Sequence, residues 1–137
     1  MILSDPRFRP WLESRIGVEL PRDAQFIGCI RDGQAIVAVG FSHYTGHDIE
    51  LSVAGERGSG SRSFLNAVFE YVFKQARCVR CTVRVRASNA RAHKLAYRLG
   101  FEQEGVLRLG YGDEDAVIFG LTRTDYEQRR RKATSGT

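Results

Sequence analysis

Cysteine is scarce, with Cys29, Cys78 and Cys81 the only three among 137 residues. An odd count with no framework spacing excludes a small secreted fold stapled by disulfides. Cys78 and Cys81 have the C-x-x-C interval, but they fall in "CVRCTVRVR", which alternates like a strand. Side chains three apart on a strand point to opposite faces, so the pair is not expected to share a metal. Long apolar runs are missing too, and none approaches the roughly 20 residues that span a bilayer as a helix. The opening "MILSDPRFRPWLES" meets charge and proline at once, unlike a secretion signal. These absences lead to the expectation of a cytoplasmic protein without a membrane partner.

Charge of one sign is also in short supply once its location is considered. The formal net charge is +5, yet Arg129, Arg130, Arg131 and Lys132 stand together near the C-terminus. Without them 17 basic residues face 16 acidic ones, a nearly neutral body. Residues 1–126 are expected to form one domain and 127–137 a solvated, disordered basic tail. Arg80, Arg84 and Arg86 fall on one face of "VRCTVRVR". Such a row is usually a solvated or salt-bridged edge. Beside a cleft it would favour an acidic or nucleic-acid-associated partner, so that partner class stays open as the lesser option.

The order of patterns predicts α-β-β-β-α-β-α-β-β, a mixed sheet with helices packed on it. "DPRFRPWLESRIG" reads as a short helix capped by Asp5 and ended by Gly17. "AQFIGCI" and "QAIVAVGFSHY" read as strands around an Asp32-Gly33 turn. In "HDIELSVA", Ile49, Leu51 and Val53 alternate with Asp48, Glu50 and Ser52. In "SRSFLNAVFEYVFKQA", Phe64, Leu65, Val68, Phe69, Val72, Phe73 and Ala76 recur at helical spacing. "NARAHKLAYRL" is the next helix, with Ala92, Leu95, Ala96 and Leu99 as its apolar stripe and Gly100 as its stop. Two closing strands follow.

Between the third strand and the second helix lies "VAGERGSGSRSFL", residues 53–65. A glycine-rich strand-to-helix turn can hold an anion, because the first helical N–H groups lack internal partners and glycine lets the backbone approach closely. Arg57 and Arg62 add positive charge. The stretch lacks the G-K-[ST] ending of a phosphate loop and the spacing G-x-G-x-x-G, since position 63 is Ser. A merely tight turn with Ser61 or Ser63 as N-cap is the alternative.

Tyr97 falls off the apolar stripe of its helix, where a phenol either stacks on a neighbouring element or lines a cleft. Asn89, Ala92, Tyr97, Gly100 and Phe101 form a pattern that resembles the GNAT superfamily of N-acetyltransferases. "GFEQEGVLR" and "DAVIFGLTRTDY" look like the branch that acetylates protein N-termini, including those of ribosomal proteins. The resemblance covers roughly residues 24 to 126. It implies an α/β (α+β) fold, a mixed and mostly antiparallel sheet with a central splayed parallel pair, flanked by helices. It also implies acetyl-CoA as acyl donor, bound along Leu51, Ser52 and Val53 and by the turn Arg57, Gly58, Ser59, Gly60, Ser61 and Arg62, with Asn89 and Tyr97 also in contact. Arg62 departs from the family's turn, occupying its second small-residue position.

The implied activity is acetyl transfer to a primary amine, by direct attack in a ternary complex. An amide near Val53 would polarise the thioester carbonyl. The resemblance assigns Tyr97 as general acid. Glu50, on the polar row beside the cleft, is the first choice of base, with His43 and His47 as the other options. The acceptor, a peptide, protein or small amine, is not legible in the sequence, and a homodimer is a further option. Two other readings stand beside this one: a GNAT-fold binding or regulatory protein without the reaction, and a nucleic-acid-associated modifying protein.

Overall fold

The computed structural model describes residues 1–134. Strand β1 (Ile2–Ser4) leads into helix α1 (Phe8–Ile16), followed by β2 (Gln25–Arg31), β3 (Gln34–Ser42) and β4 (Glu50–Gly55). Helix α2 (Arg62–Glu70) continues as a π-helical turn, Tyr71–Gln75, into β5 (Arg80–Arg86). Helix α3 (Ala90–Leu99), strands β6 (Glu102–Leu107) and β7 (Ala116–Thr122), and helix α4 (Arg123–Thr134) complete the order. The seven strands form one sheet, β1-β2-β3-β4-β5-β7-β6, antiparallel except for β4 and β5. This is the mixed sheet that the residue patterns predict, mostly antiparallel with a central parallel pair as the resemblance implies.

Helices cover both faces. On one, Phe64, Val68, Phe69 and Val72 of the α2 segment, Ala96 of α3 and Tyr126 of α4 pack with Val39, Leu51, Val85 and Phe119 of the strands. On the other, Phe8 and Leu12 of α1 pack on Phe26 and Ala38. A Cβ at Gly28 would sit 2.7 Å from the Phe8 ring, so glycine in β2 lets α1 lie close on the sheet. The β2–β3 hairpin turns on Asp32 and Gly33, both at positive φ, as a two-residue Asp-Gly turn requires.

Several expectations are corrected. Helix α1 begins at Phe8 rather than after Asp5, with Arg7 at the N-cap position; the Asp5 carboxylate instead accepts from the Arg7 N–H at 2.8 Å and pairs with its guanidinium. Strand β1 was not foreseen. The expected disordered tail, 127–137, is helical through Thr134, and residues 135–137 lie outside the described residues. Arg129 ties this helix to the carbonyl of Arg98 at 2.7 Å, and Arg130 to Asn66 at 3.2 Å, contacts that residue-run reasoning cannot supply. Leu95, expected in the stripe of α3, is 39% exposed. Cys78 and Cys81 share one core cluster rather than opposite faces, because Cys78 precedes β5 and strand parity does not reach it. Burial pushes both thiols up, so they stay protonated and unreactive.

Candidate active site

The site begins where two strands part. β4 and β5 are in register only at Glu50–Thr82 and Leu51–Val83. Beyond these, Ser52 and Val53 remain paired to Gly40 and Val39 of β3, while Arg84, Val85 and Arg86 remain paired to β7. The carbonyl of Ile49 accepts from the Thr82 N–H at 3.0 Å, across to β5. Strand parity turns the N–H of Val53 to that same edge, where it faces the gap without a strand partner. The alternation "HDIELSVA" puts Val53 on one face with Ile49 and Leu51, both of which are buried. Val53 is 42% exposed instead, because β5 has already turned away.

At the end of β4 the glycine-rich turn leads into α2. The N–H of Glu56 returns to Ile36 at 2.7 Å, and Gly58 adopts φ +81°. Ser61 is the N-cap, its hydroxyl accepting from the Phe64 N–H at 3.2 Å. Among the described residues, the N–H groups of Arg57, Gly58, Gly60, Arg62 and Ser63 have no acceptor. The Arg57 and Arg62 side chains are both exposed, and neither guanidinium has a partner there. A Cβ at Gly60 would meet nothing within 4 Å, so the space over the turn is open. Arg62 is exposed and does not fill it. Unpaired backbone donors, a helix start and two unpaired cations fit a pyrophosphate.

Next to the gap, on the face that carries α1, is a cleft of about 310 Å³. Its floor is Glu50, Ser52 and Val53 of β4 with Arg84 of β5. One wall is Ile16 at the end of α1 and the α1–β2 connection, where Val18, Leu20 and Pro21 stand beside Glu19; the other is Gly110 and Tyr111 between β6 and β7. His43 closes one end and also borders a second hollow of about 410 Å³ between Tyr44 and Tyr71. Only the first hollow contains Glu50 and the strand gap.

Glu50 is the central group of the cleft. Its side chain is 17% exposed and lies 3.5 Å from both the Arg84 guanidinium and His43 Nδ1, without a hydrogen bond to either. His43 has φ +54°, a backbone state that a non-glycine residue adopts only when its surroundings hold it there. His47 is exposed in the turn before β4 and is not part of the cleft lining.

The phenol in the cleft is Tyr111, not Tyr97. Tyr111 donates to the Arg84 carbonyl at 3.1 Å, and burial holds its pKa up, keeping it protonated. Tyr97 lies on the β6–β7 side of α3, its ring edge-on to Phe119 at 5.3 Å and its hydroxyl donating to Gln103 at 3.2 Å. Tyr97 thus makes an edge-on contact with a neighbouring strand while 54% of it stays exposed. Asn89 caps α3, accepting from the Ala92 N–H at 3.1 Å. Sequence reasoning passed over Tyr111; an aromatic between Gly110 and Gly112 at the tip of the closing hairpin was the available signal.

The arginine row is salt-bridged. Arg80 meets Glu104 at 2.7 Å and Asp48 at 3.4 Å, and Arg86 meets Asp113 at 3.0 Å.

No protein-family model and no curated protein matches the sequence. Solved structures do. A variant of the spermidine/spermine N-acetyltransferase SpeG from Vibrio cholerae superposes with a TM-score of 0.75 over 94% of this chain and 98% of that one, at 15% identity. The fold is that of the GNAT acetyltransferases. The ribosomal-protein-S5-alanine acetyltransferase of Vibrio fischeri matches with a TM-score of 0.66 at 20% identity, over 75% of this chain and 63% of its own length. The N-acetyltransferase PseH of Campylobacter jejuni, in complex with acetyl coenzyme A, matches with a TM-score of 0.60 at 20% identity, over 85% and 76%. Among the described residues no helix is long and apolar enough to cross a membrane.

Proposed function

We propose that the chain is an acetyl-CoA-dependent N-acetyltransferase that acetylates a primary amine by direct attack in a ternary complex. The observation that carries this reading is Glu50, a half-buried carboxylate without hydrogen bonds, set in a cleft beside the strand gap. Likeness to the SpeG and PseH acetyltransferases supports it. The turn Arg57 to Arg62, with Leu51, Ser52 and Val53, would hold the donor, and Asn89 lies at the start of the neighbouring helix. When bound, acetyl-CoA supplies the thioester carbonyl carbon that the amine attacks. The Val53 N–H stabilises charge developing on the carbonyl oxygen. Glu50 binds the acceptor's ammonium and takes its proton, making the nitrogen nucleophilic.

The leaving sulfur needs a proton from a phenol. Each phenol would have to leave a present acceptor to supply it, Tyr97 the Gln103 side chain and Tyr111 the Arg84 carbonyl, and of the two it is Tyr111 that lines the cleft. We therefore assign this role to Tyr111. Release of free thiol from acetyl-CoA, followed over a panel of amines, tests the activity. Tyr111→Phe is expected to lose about 10²-fold in kcat/KM and Tyr97→Phe little. The reverse order would return the role to Tyr97. Thiol release no faster than without protein, across the panel, would instead favour a binding protein that keeps the fold alone.

A further inference from the structure

Glu50 and Arg84 form an unusual pair. Their charged ends are 3.5 Å apart on the cleft floor, and neither makes a side-chain hydrogen bond. The Arg84 side chain is 37% exposed, with the Tyr111 hydroxyl bound to its own backbone carbonyl. The pair is held by charge alone, which leaves hydrogen-bonding capacity on both the guanidinium and the carboxylate for a guest. A carboxylate and a guanidinium side by side, neither in a side-chain hydrogen bond, match a molecule that carries an ammonium and a carboxylate side by side.

We infer that the acceptor is a free α-amino acid with an aliphatic side chain, an inference that rests on the acetyltransferase reading. Its ammonium meets Glu50 and its carboxylate, two bonds away, meets Arg84 as a charge-assisted hydrogen-bonded pair. Val18, Leu20 and Pro21 offer an apolar wall to the side chain. A polyamine would bring only positive charge toward Arg84, with Glu19 as the one other carboxylate in the lining. A peptide N-terminus would offer Arg84 a neutral carbonyl in place of a carboxylate, a weaker bond.

Thiol release from acetyl-CoA is measured with leucine, leucinamide, isoamylamine, spermidine and a short peptide beginning with leucine, and acetylated products are confirmed by mass spectrometry. Wild-type protein is expected to favour leucine over leucinamide by about 10- to 100-fold in kcat/KM, the worth of one charge-assisted bond. In Arg84→Gln that ratio is expected to fall to about one, with Arg84→Lys in between, since lysine keeps the charge without the fork. Circular dichroism checks that both variants are folded. Leucinamide, spermidine or the peptide outrunning leucine would overturn the acceptor class and leave the acetyltransferase reading standing. Calorimetry with acetyl-CoA separates the remaining case. Binding without turnover of leucine overturns the acceptor class alone, and no binding overturns the parent reading with it.

Discussion

Asp48, just before β4, and Glu50, its first residue, each stand beside an arginine of β5, yet they are in opposite states. Asp48 accepts from the Thr82 hydroxyl at 2.9 Å and lies 3.4 Å from Arg80, which is itself hydrogen bonded to Glu104 at 2.7 Å. Glu50 has two ion contacts at 3.5 Å and no hydrogen bond. The difference follows from the sheet. At Asp48 the strands are still together, and Thr82 and Glu104 are within reach. At Glu50 the last register pairs are formed, and beyond it the floor opens. A closed network stabilises the sheet, whereas an unsatisfied carboxylate in a cleft is available for chemistry.

Isosteric neutralisation of each carboxylate tests this contrast. Glu50→Gln should lower kcat/KM by about 10²–10⁴-fold in the thiol-release assay while leaving the thermal midpoint nearly unchanged. Asp48→Asn should do the opposite, costing about 1 kcal/mol of stability by denaturant titration with turnover preserved. If the two variants lose activity equally, the contrast between open and closed carboxylates is wrong. A smaller effect separates the arginines: Arg84→Gln should change stability by less than about 0.5 kcal/mol, as for a loose surface pair, and Arg80→Gln by more.

The smallest effect concerns pH. Glu114 accepts from the N–H and hydroxyl of Ser88, which hold its carboxyl below the usual range, with Arg86 adding to the effect. A carboxylate whose folded pKa is depressed contributes stability above its unfolded value, and that contribution is lost as pH falls through the lower folded value. Glu114→Gln should therefore lower the neutral plateau slightly and flatten the acid limb of stability in a denaturation series below about pH 4.5.

Much of the fold was legible because its signals are local. Asp32-Gly33 fixes a hairpin, Gly17 and Gly100 end helices at positive φ, and the apolar spacing from Phe64 to Phe73 places α2. The strand-to-helix turn was legible for the same reason. What stayed hidden depends on neighbours. Val53 alternates correctly but loses its cover where β5 departs. Tyr97 follows the buried Ala96 by one residue, a rotation of about 100° around the helix, which carries it to Phe119 and Gln103. Tyr111 reaches the cleft from a loop whose path no periodicity records. The basic run from Arg129 to Lys132 reads as solvated until Arg98 and Asn66 are seen beneath it.

The central claim is that the open turn after β4 binds the acyl donor. Calorimetric titration with acetyl-CoA, on wild type and on Gly60→Glu, tests it most directly. The account predicts micromolar binding by the wild type and its loss in the variant, where a carboxylate would occupy the space over the turn. No binding by the wild type, or equal binding by both, would contradict it.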